Sequence, residues 1–219
     1  MHSLQQHILY KLTLHSPRRY SELKPKEVEG NVFMYHLKTL MREDLVERQG
    51  SGYGLTVSGL RYADTVSLKE QRPRAQPKIV TEIACQNEQG EWLLFRRFRE
   101  PFSGKVVFPN GKVHLGEQIK ESALREFKEK TGLEATLTYR GDWYSAIYTK
   151  GELISHMLSH VFSGVVTGGT LSEPSEIGEC FWSKIEALTK TERMPGLVQL
   201  IDLLEQRPEP FFEEMRGEV

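Results

Sequence analysis

The residues best suited to chemistry are charged side chains between positions 117 and 130. Apolar residues recur there at three- and four-residue steps, which predicts an amphipathic helix over Glu117 to Thr131 that buries Ile119, Ala123, Leu124 and Phe127. At about 100° per residue, Glu126, Glu129 and Lys130 fall on one arc beside the apolar face. Carboxylates on one rigid face suit a hard cation such as Mg²⁺, which is usually completed by substrate phosphates.

The loop before this helix, Phe108-Pro109-Asn110-Gly111, contains residues that favour tight turns and left-handed backbone. We therefore expect it to present a backbone carbonyl, near Asn110, to the same cation. Gly132 follows the helix and is predicted to cap its C-terminus.

The segment Gly111 to Leu133, called the box below, resembles the Nudix signature. That signature runs Gly, five residues, Glu, seven residues, then Arg-Glu-apolar-x-Glu-Glu-x-Gly-apolar. The residues in register are Gly111, Glu117, Arg125, Glu126, Phe127, Glu129, Gly132 and Leu133. The resemblance implies an α/β/α sandwich with a mixed sheet that hydrolyses nucleoside diphosphate derivatives with Mg²⁺ or Mn²⁺.

Roles for individual residues follow from the same resemblance. Glu126 and Glu129 are expected to be metal ligands or the catalytic base, and Gly111, Glu117, Arg125 and Gly132 to have structural roles. A late acidic loop often supplies a further ligand or base, for which Glu173 and Glu176 are the candidates, and Glu176 is our choice. Further candidates are nucleobase-stacking aromatics (Trp143, Tyr144 and Tyr148) and phosphate-binding arginines (Arg96, Arg97 and Arg99).

Lys130 stands where the signature has its last Glu. An ammonium group has no lone pair for a metal ion and repels a cation at short range. Lys130 and Glu126, four residues apart on a helix, are instead spaced to form an ion pair. Two hypotheses therefore stay open: a Mg²⁺-dependent hydrolase, slightly favoured, and a sensor domain that binds a nucleotide with little or no catalysis.

A second domain is predicted before the box domain. Helical patterns over residues 4–14, 20–23 and 31–44 precede two short strands, at 45–48 and 53–56, and a last helix from Ser58. The 31–44 helix is predicted to bury Phe33, Leu37, Leu40 and Met41. Residues 1–66 resemble the winged helix-turn-helix domain of bacterial and archaeal transcription regulators. Their polar continuation, 67–77, is predicted as a linker, and 78–219 as the Nudix domain.

The winged-helix resemblance implies binding to double-stranded DNA, with the 31–44 helix in the major groove. Asn31, Tyr35, Lys38 and Arg42 would lie on its outer side, where Asn and Arg can recognise bases and Lys and Tyr can hold phosphates. Arg18, Arg19, Arg48, Arg72 and Arg74 are candidates for further backbone contacts. Residues 1–70 contain ten Lys/Arg and eight Asp/Glu, a weak positive balance. A dimerisation module, giving a homodimer without DNA, is the alternative.

Bulk properties add few constraints. The 219 residues have a net charge of −1, so charge alone favours neither nucleic acid nor membrane partners. No apolar run approaches 18 residues and the first residues lack a signal region, so we predict a cytoplasmic protein with no membrane partner. Cys85 and Cys180 lie in apolar runs without metal-ligand spacing and are predicted to be buried thiols.

Overall fold

The first 76 residues form a helical unit with one β-hairpin. In this computed structural model, which describes residues 1–219, the chain divides into two compact units, Met1–Gln76 and Pro77–Val219. The elements of the first unit are α1 (Ser3–Leu14), α2 (Tyr20–Leu23), α3 (Gly30–Arg42), β1 (Val46–Gln49), β2 (Gly52–Leu55) and α4 (Val57–Thr65). Strands β1 and β2 pair in antiparallel register, with Val46 opposite Leu55.

The core of the first unit joins α1, α3 and the hairpin. It is built from fully buried aliphatic and aromatic side chains, among them Ile8, Leu9, Leu12, Phe33, Leu37 and Leu40. The prediction that Met41 joins this core is wrong, since its side chain is 37% exposed. Met41 directly follows Leu40, and one helical step of about 100° turns it away from the buried face.

The segment predicted as a linker has structure of its own. Strands β3 (Val66–Ser67) and β4 (Arg72–Pro73) form a small antiparallel hairpin that belongs to the first unit. The amide of Gln71 donates to the carbonyl of Ser67 at 2.7 Å, and Glu70 forms an ion pair with Arg74 at 3.1 Å. These local contacts close the turn without an apolar core, which explains why no hydrophobic pattern indicated it.

The second unit is a mixed sheet with helices. Its elements are β5 (Lys78–Cys85), β6 (Trp92–Arg97), β7 (Val106–Val107), β8 (Asn110–Lys112), α5 (Ile119–Thr131), β9 (Leu133–Thr149), β10 (Glu152–Gly169), β11 (Gly178–Ser183), a 3₁₀ turn (Ile185–Ala187), α6 (Leu197–Gln206) and β12 (Phe211–Glu218). The main sheet has the order β12-β9-β10-β5-β8, and a second sheet has the order β11-β6-β7. In the main sheet β10 is antiparallel to β9 and parallel to β5.

Two hydrophobic clusters fill the second unit. One contains Ala123 and Phe127 of α5, and the other contains Leu197, Leu200, Ile201 and Leu204 of α6. Neighbouring residues of β5 point to opposite sides, since Ile83 joins the α5 cluster and Ala84 the α6 cluster. This is the layered α/β/α arrangement with a mixed sheet. Both cysteines are buried and free, as predicted.

One further expectation about α5 is corrected by burial. Leu124 was predicted to lie on the buried face of α5, but its side chain is 39% exposed, because it is rotated one helical step from Ala123. No helix in the structure combines the length and the hydrophobicity needed to cross a membrane.

Candidate functional site

Arg125 is the centre of the charged network in the box. Its guanidinium donates to both carboxylate oxygens of Glu117, at 2.6 and 2.8 Å, and to Glu126 at 2.9 Å. It also reaches Glu129 at 3.3 Å and the carbonyl of Lys112 in β8 at 3.2 Å. A planar fork of N–H donors allows one side chain to hold all these groups. Arg125 thereby ties the loop containing Glu117 and strand β8 to helix α5.

Glu117 is held strongly in its charged form. The Arg125 fork and the backbone N–H of His114, which donates to Glu117 at 2.9 Å, lower the pKa of Glu117 to about 2. This carboxylate closes the turn that leads into α5 and is an acceptor in a structural ion pair. Its position agrees with a structural role and leaves it outside the cleft described below.

Two glycines of the box occupy positions where a side chain does not fit. A Cβ on Gly111 would collide with the carboxylate of Glu126, so the glycine lets strand β8 pass directly against that group. Gly132 has a φ of 72° and ends α5 in the left-handed conformation, with its N–H donating to the carbonyl of Lys128 at 2.9 Å. Gly132 is the helix cap that the spacing predicted. The prediction of a tight or left-handed loop through Asn110 and Gly111 is wrong, because both residues pair with β5 in strand β8 and neither has a positive φ.

The second carboxylate oxygen of Glu126 faces Lys130. The Nζ of Lys130 lies 3.6 Å from Oε2 of Glu126, one helical turn away, and 5.6 Å from the centre of the Phe95 ring. The Lys130 side chain is only 17% exposed and that of Glu126 13%. Burial lowers the pKa of Lys130, and the neighbouring Glu126 carboxylate opposes that shift. The i,i+4 pair anticipated from the sequence is therefore formed in a largely buried setting.

These two residues line a cleft of about 440 Å³ in the second unit. Its lining includes five basic side chains (Lys78, Arg97, Arg99, Lys112 and Lys130) and two acidic ones, Glu82 and Glu126. Arg97 is anchored by two hydrogen bonds to the carbonyl of Pro101, at 3.0 and 3.2 Å. The excess of positive charge suits an anionic ligand, since cationic side chains bind phosphate groups by charge-assisted hydrogen bonds.

The other predicted site residues separate into those at the cleft and those away from it. Asn110 lines the cleft, and its side-chain amide donates to the carbonyl of Phe108 at 3.2 Å. Glu129 is 61% exposed and bound to the outer side of Arg125, outside the lining. Glu173 and Glu176 are exposed and also outside it, although Ile177 lines the cleft.

Among the aromatic and arginine candidates, Trp143, Arg97 and Arg99 line the cleft. Tyr144 packs instead against His156, at 4.6 Å between ring centres, and Tyr148 lies under the Arg216 guanidinium at 4.1 Å. Arg96 pairs with Glu192 at 3.1 Å. Alternation along strands sends neighbouring residues to opposite faces, which explains why only part of each set meets at the cleft.

Glu82 is a cleft residue that was not singled out from the sequence. It lies on β5 directly opposite Asn110 of β8, and burial raises its pKa to about 7. A single carboxylate inside the apolar run Lys78-Ile-Val-Thr-Glu-Ile-Ala-Cys85 was the available signal. A charged residue in such a strand is costly unless it has a function or a partner.

Glu82 makes stability depend on pH in a defined direction. Its folded-state pKa lies above the unfolded value of 4.5, so the folded protein loses stability as pH rises from about 4.5 through 7. We expect Glu82→Gln to be more stable than the wild type at pH 8, by roughly 2 kcal/mol, and nearly equal at pH 5. Urea unfolding at the two pH values tests this, and an equal gain at both would contradict it.

Comparison with known proteins identifies the second unit. The NUDIX domain family matches residues 77–204, more than half of the chain. The chain belongs to the Nudix family. A protein of Methanocaldococcus jannaschii named ADP-ribose pyrophosphatase is 28% identical over 145 residues, covering 64% of this chain and 84% of that protein. An uncharacterised Nudix hydrolase of Bacillus subtilis, YvcI, is 27% identical over 127 residues, covering 57% and 77%.

A solved structure supports the same fold. The MutT protein from Bacillus halodurans superposes with a TM-score of 0.54 at 21% identity, covering 64% of this Nudix protein and 89% of that chain. Nudix hydrolases generally use a divalent metal ion, so the side chains of the box can be tested for their fit to one.

The residues present do not fit the metal site that the Nudix resemblance implies. Both oxygens of Glu126 face cationic groups, Arg125 and Lys130, and Glu129 is bound to Arg125 outside the cleft. No group of three or more His, Cys, Asp or Glu side chains is close enough to hold a metal ion. A divalent ion about 4 Å from the Lys130 ammonium would meet a repulsion of about 8 kcal/mol at an effective dielectric constant near 20.

Proposed function

We propose that the Nudix unit binds a nucleoside diphosphate derivative through its diphosphate group, and that binding rather than rapid hydrolysis is its main role. The observation that carries this proposal is the Lys130 ammonium beside Glu126 inside a cleft with an excess of basic side chains. An ammonium in place of a carboxylate favours anion binding and disfavours metal binding. ADP-ribose is the first ligand to test, because a relative is named ADP-ribose pyrophosphatase.

We further propose that the first unit is a winged helix that binds double-stranded DNA, which makes the protein a nucleotide-responsive regulator. Asn31, Tyr35, Lys38 and Arg42 are all exposed on α3, Tyr35 to 65%. Arg19 and Arg48 are exposed as well and are available for phosphate contacts. Arg18, by contrast, donates to the carbonyls of Lys11 and His15, so it stabilises the end of α1.

Hydrolysis of the same class of ligand, dependent on Mg²⁺ or Mn²⁺, is the second candidate. It is favoured by the two carboxylates in the cleft, Glu82 and Glu126. A carboxylate whose pKa lies near 7 is suited to accept a proton from water at neutral pH. In this candidate Glu82 joins the predicted residue Glu126 as a base in the cleft, whereas Glu129 and Glu176 lie outside its lining.

Turnover measurements separate the two candidates. The full chain is incubated with ADP-ribose, NAD, nucleoside triphosphates and sugar nucleotides, with Mg²⁺ or Mn²⁺, and products are quantified by chromatography. We expect binding of one of these ligands, and turnover at least about 100-fold below the typical enzyme rate of about 10 per second. Lys130→Glu restores the last Glu of the Nudix signature and is expected to raise turnover, whereas Lys128→Glu, on the exposed side of α5, is not.

Two outcomes would reverse the order of the candidates. Turnover near 10 per second by the wild type would establish the hydrolase. If neither the wild type nor Lys128→Glu binds any ligand of the panel, the binding proposal itself is overturned.

The DNA proposal has its own test. We expect Lys38→Ala together with Arg42→Ala to weaken binding to the gene's upstream region at least about tenfold, and to reduce the slope of log affinity against log salt by about one for each phosphate that is no longer neutralised. Arg61→Ala, on the exposed side of α4, is the matched control. Unchanged binding by the double variant would contradict the assignment of α3 to the major groove.

A protein that fails to bind DNA but elutes as a dimer would support the dimerisation alternative. Light scattering of the full chain measures its mass directly.

A further inference from the structure

The Lys130 side chain lines the cleft without a close hydrogen-bond acceptor. Its 3.6 Å separation from Glu126 is an ion pair but is longer than a hydrogen bond. The face of the Phe95 ring, 5.6 Å away, attracts the ammonium without accepting a conventional hydrogen bond. The ammonium therefore has N–H donors available for an incoming acceptor, although the side chain is only 17% exposed.

Other cations lie close to the same space. Burial and the charges of Lys112 and Arg97 lower the pKa of Lys78, so the positive charges of Lys112 and Arg97 repel that of Lys78. The Nζ of Lys78 is held by the hydroxyl of Ser155 at 2.9 Å, which positions it at the cleft wall. Arg97 also acts on Lys130, and all four cations belong to the lining of the cleft. A group with two negative charges would relieve their mutual repulsion.

A divalent ion in a phosphate site neutralises charge and bridges phosphate oxygens. The Lys130 ammonium can neutralise phosphate charge without a metal ion, because it donates hydrogen bonds directly to phosphate oxygens. Lys130 occupies the helix position where the Nudix signature has a Glu, and its side chain already faces the Glu126 carboxylate. The positive charge is thus supplied by the chain at the place where a metal ligand is missing.

We propose that this cleft binds the diphosphate of its ligand without a divalent metal ion, with Lys130 as the cation that contacts the phosphates and Lys78, Arg97 and Lys112 completing the charge balance. This inference rests on the proposed function, since it concerns how the same ligand is held. It also goes further, because it makes the affinity independent of Mg²⁺ and Mn²⁺.

Calorimetry of the full chain with ADP-ribose tests the inference, first in excess EDTA and then in excess Mg²⁺. We expect dissociation constants that agree within about twofold. Lys130→Gln removes the charge at nearly constant length and is expected to weaken binding in EDTA about tenfold or more, as the loss of a charge-assisted hydrogen bond requires. Lys128→Gln is the matched control on the same helix and should leave the affinity unchanged, because Lys128 pairs with Glu134 at 3.0 Å, outside the cleft.

A second variant, two smaller ligands and a manganese titration test the same inference if Lys130→Gln folds poorly. Lys112→Gln alters an exposed cleft residue and should weaken binding severalfold in EDTA. AMP and ribose 5-phosphate, which each lack the diphosphate, should bind more weakly than ADP-ribose. Manganese titration followed by electron paramagnetic resonance should show a gain of Mn²⁺ affinity in Lys130→Glu over the wild type.

The failures of the two proposals are distinguishable. Binding that occurs in Mg²⁺ but is lost in EDTA overturns metal independence and leaves the proposed nucleotide-binding function standing. An unchanged affinity of a folded Lys130→Gln in EDTA also overturns it. An absence of binding to every nucleotide of the panel under both conditions overturns the proposed function and the inference together.

Discussion

Replacing Arg125 by Ala is expected to lower the free energy of unfolding of the Nudix unit by more than an exposed ion pair contributes, which is at most about 1 kcal/mol, because the Glu117 and Glu126 carboxylates lose a common partner. The side-chain exposures of Arg125 (23%), Glu117 (15%) and Glu126 (13%) are lower than those in most other ion pairs of the chain. The substitution also removes the hydrogen bond to the carbonyl of Lys112, which ties β8 to α5. Strand β8, which contributes Asn110, Gly111 and Lys112 to the cleft lining, should therefore be held less firmly, and ligand affinity should fall with stability.

The positions of the tryptophans allow unfolding of the second unit to be followed separately. All three tryptophans, Trp92, Trp143 and Trp182, lie in the second unit, so urea unfolding monitored by tryptophan fluorescence reports that unit selectively. Arg125→Lys keeps the charge but not the fork and should recover only part of the stability. Lys120→Ala changes an exposed residue of the same helix and should stay within about 0.5 kcal/mol of the wild type. A similarly small effect of Arg125→Ala would contradict its central position.

The pH dependence of this variant gives a second check. The folded-state pKa of Glu117 is about 2, below its ordinary value of 4.5, so its contribution is present above pH 4.5 and is lost as pH falls towards 2. Arg125 is the first cause of that shift. The difference in stability between the wild type and Arg125→Ala should accordingly shrink between pH 5 and 2.

Phe127→Ala is expected to destabilise the Nudix unit by about 4 kcal/mol, within the range measured for large aromatic residues truncated in cores. Phe127 is fully buried on the inner side of α5 and belongs to the cluster that includes Ile83, Leu93 and Phe95. The box helix is held on the sheet by this cluster, and the same helix presents Glu126 and Lys130 to the cleft. Loss of the ring should lower both the unfolding free energy and the affinity for ADP-ribose.

Two companion variants test whether packing is the cause. Phe127→Leu retains most of the apolar volume and should cost clearly less than Phe127→Ala. Leu124→Ala removes a partly exposed side chain from the same helix and should cost less than about 1.5 kcal/mol. Equal costs for Phe127→Ala and Leu124→Ala, both measured by tryptophan fluorescence in urea, would show that burial on the sheet side is not what holds α5.

Much of the secondary structure was accessible from local pattern. Helix α5 was predicted within two residues of its observed start and at its observed end, since its apolar spacing is regular and Gly132 marks a left-handed cap. Strand β12 was not predicted. Its sequence, Phe211 to Glu218, carries four glutamate or arginine side chains, and it is an edge strand whose pairing to β9 is decided by a distant partner.

Which residues of a helix are buried, and which charged residues line the cleft, could be determined only from the tertiary structure. Leu124 and Met41 are apolar residues adjacent to buried ones, and periodicity alone assigned them to the core. Glu129 and Glu126 fall on one arc of α5, yet only Glu126 lines the cleft, because Arg125 holds Glu129 towards solvent. Glu82 entered the site from a strand remote in sequence, through its register with Asn110.

The spacing from Gly111 to Leu133 determined by itself that this chain has a Nudix box and that Lys130 interrupts it, because both are properties of residue order along one helix and its flanking loops. Only the tertiary structure decided what Lys130 does there. The sheet and the loops bring Lys78, Arg97 and Lys112 to the same cleft, and burial places the ammonium against Glu126. The charge balance of the cleft depends on residues from several strands, so it could not be predicted from any single segment of the sequence.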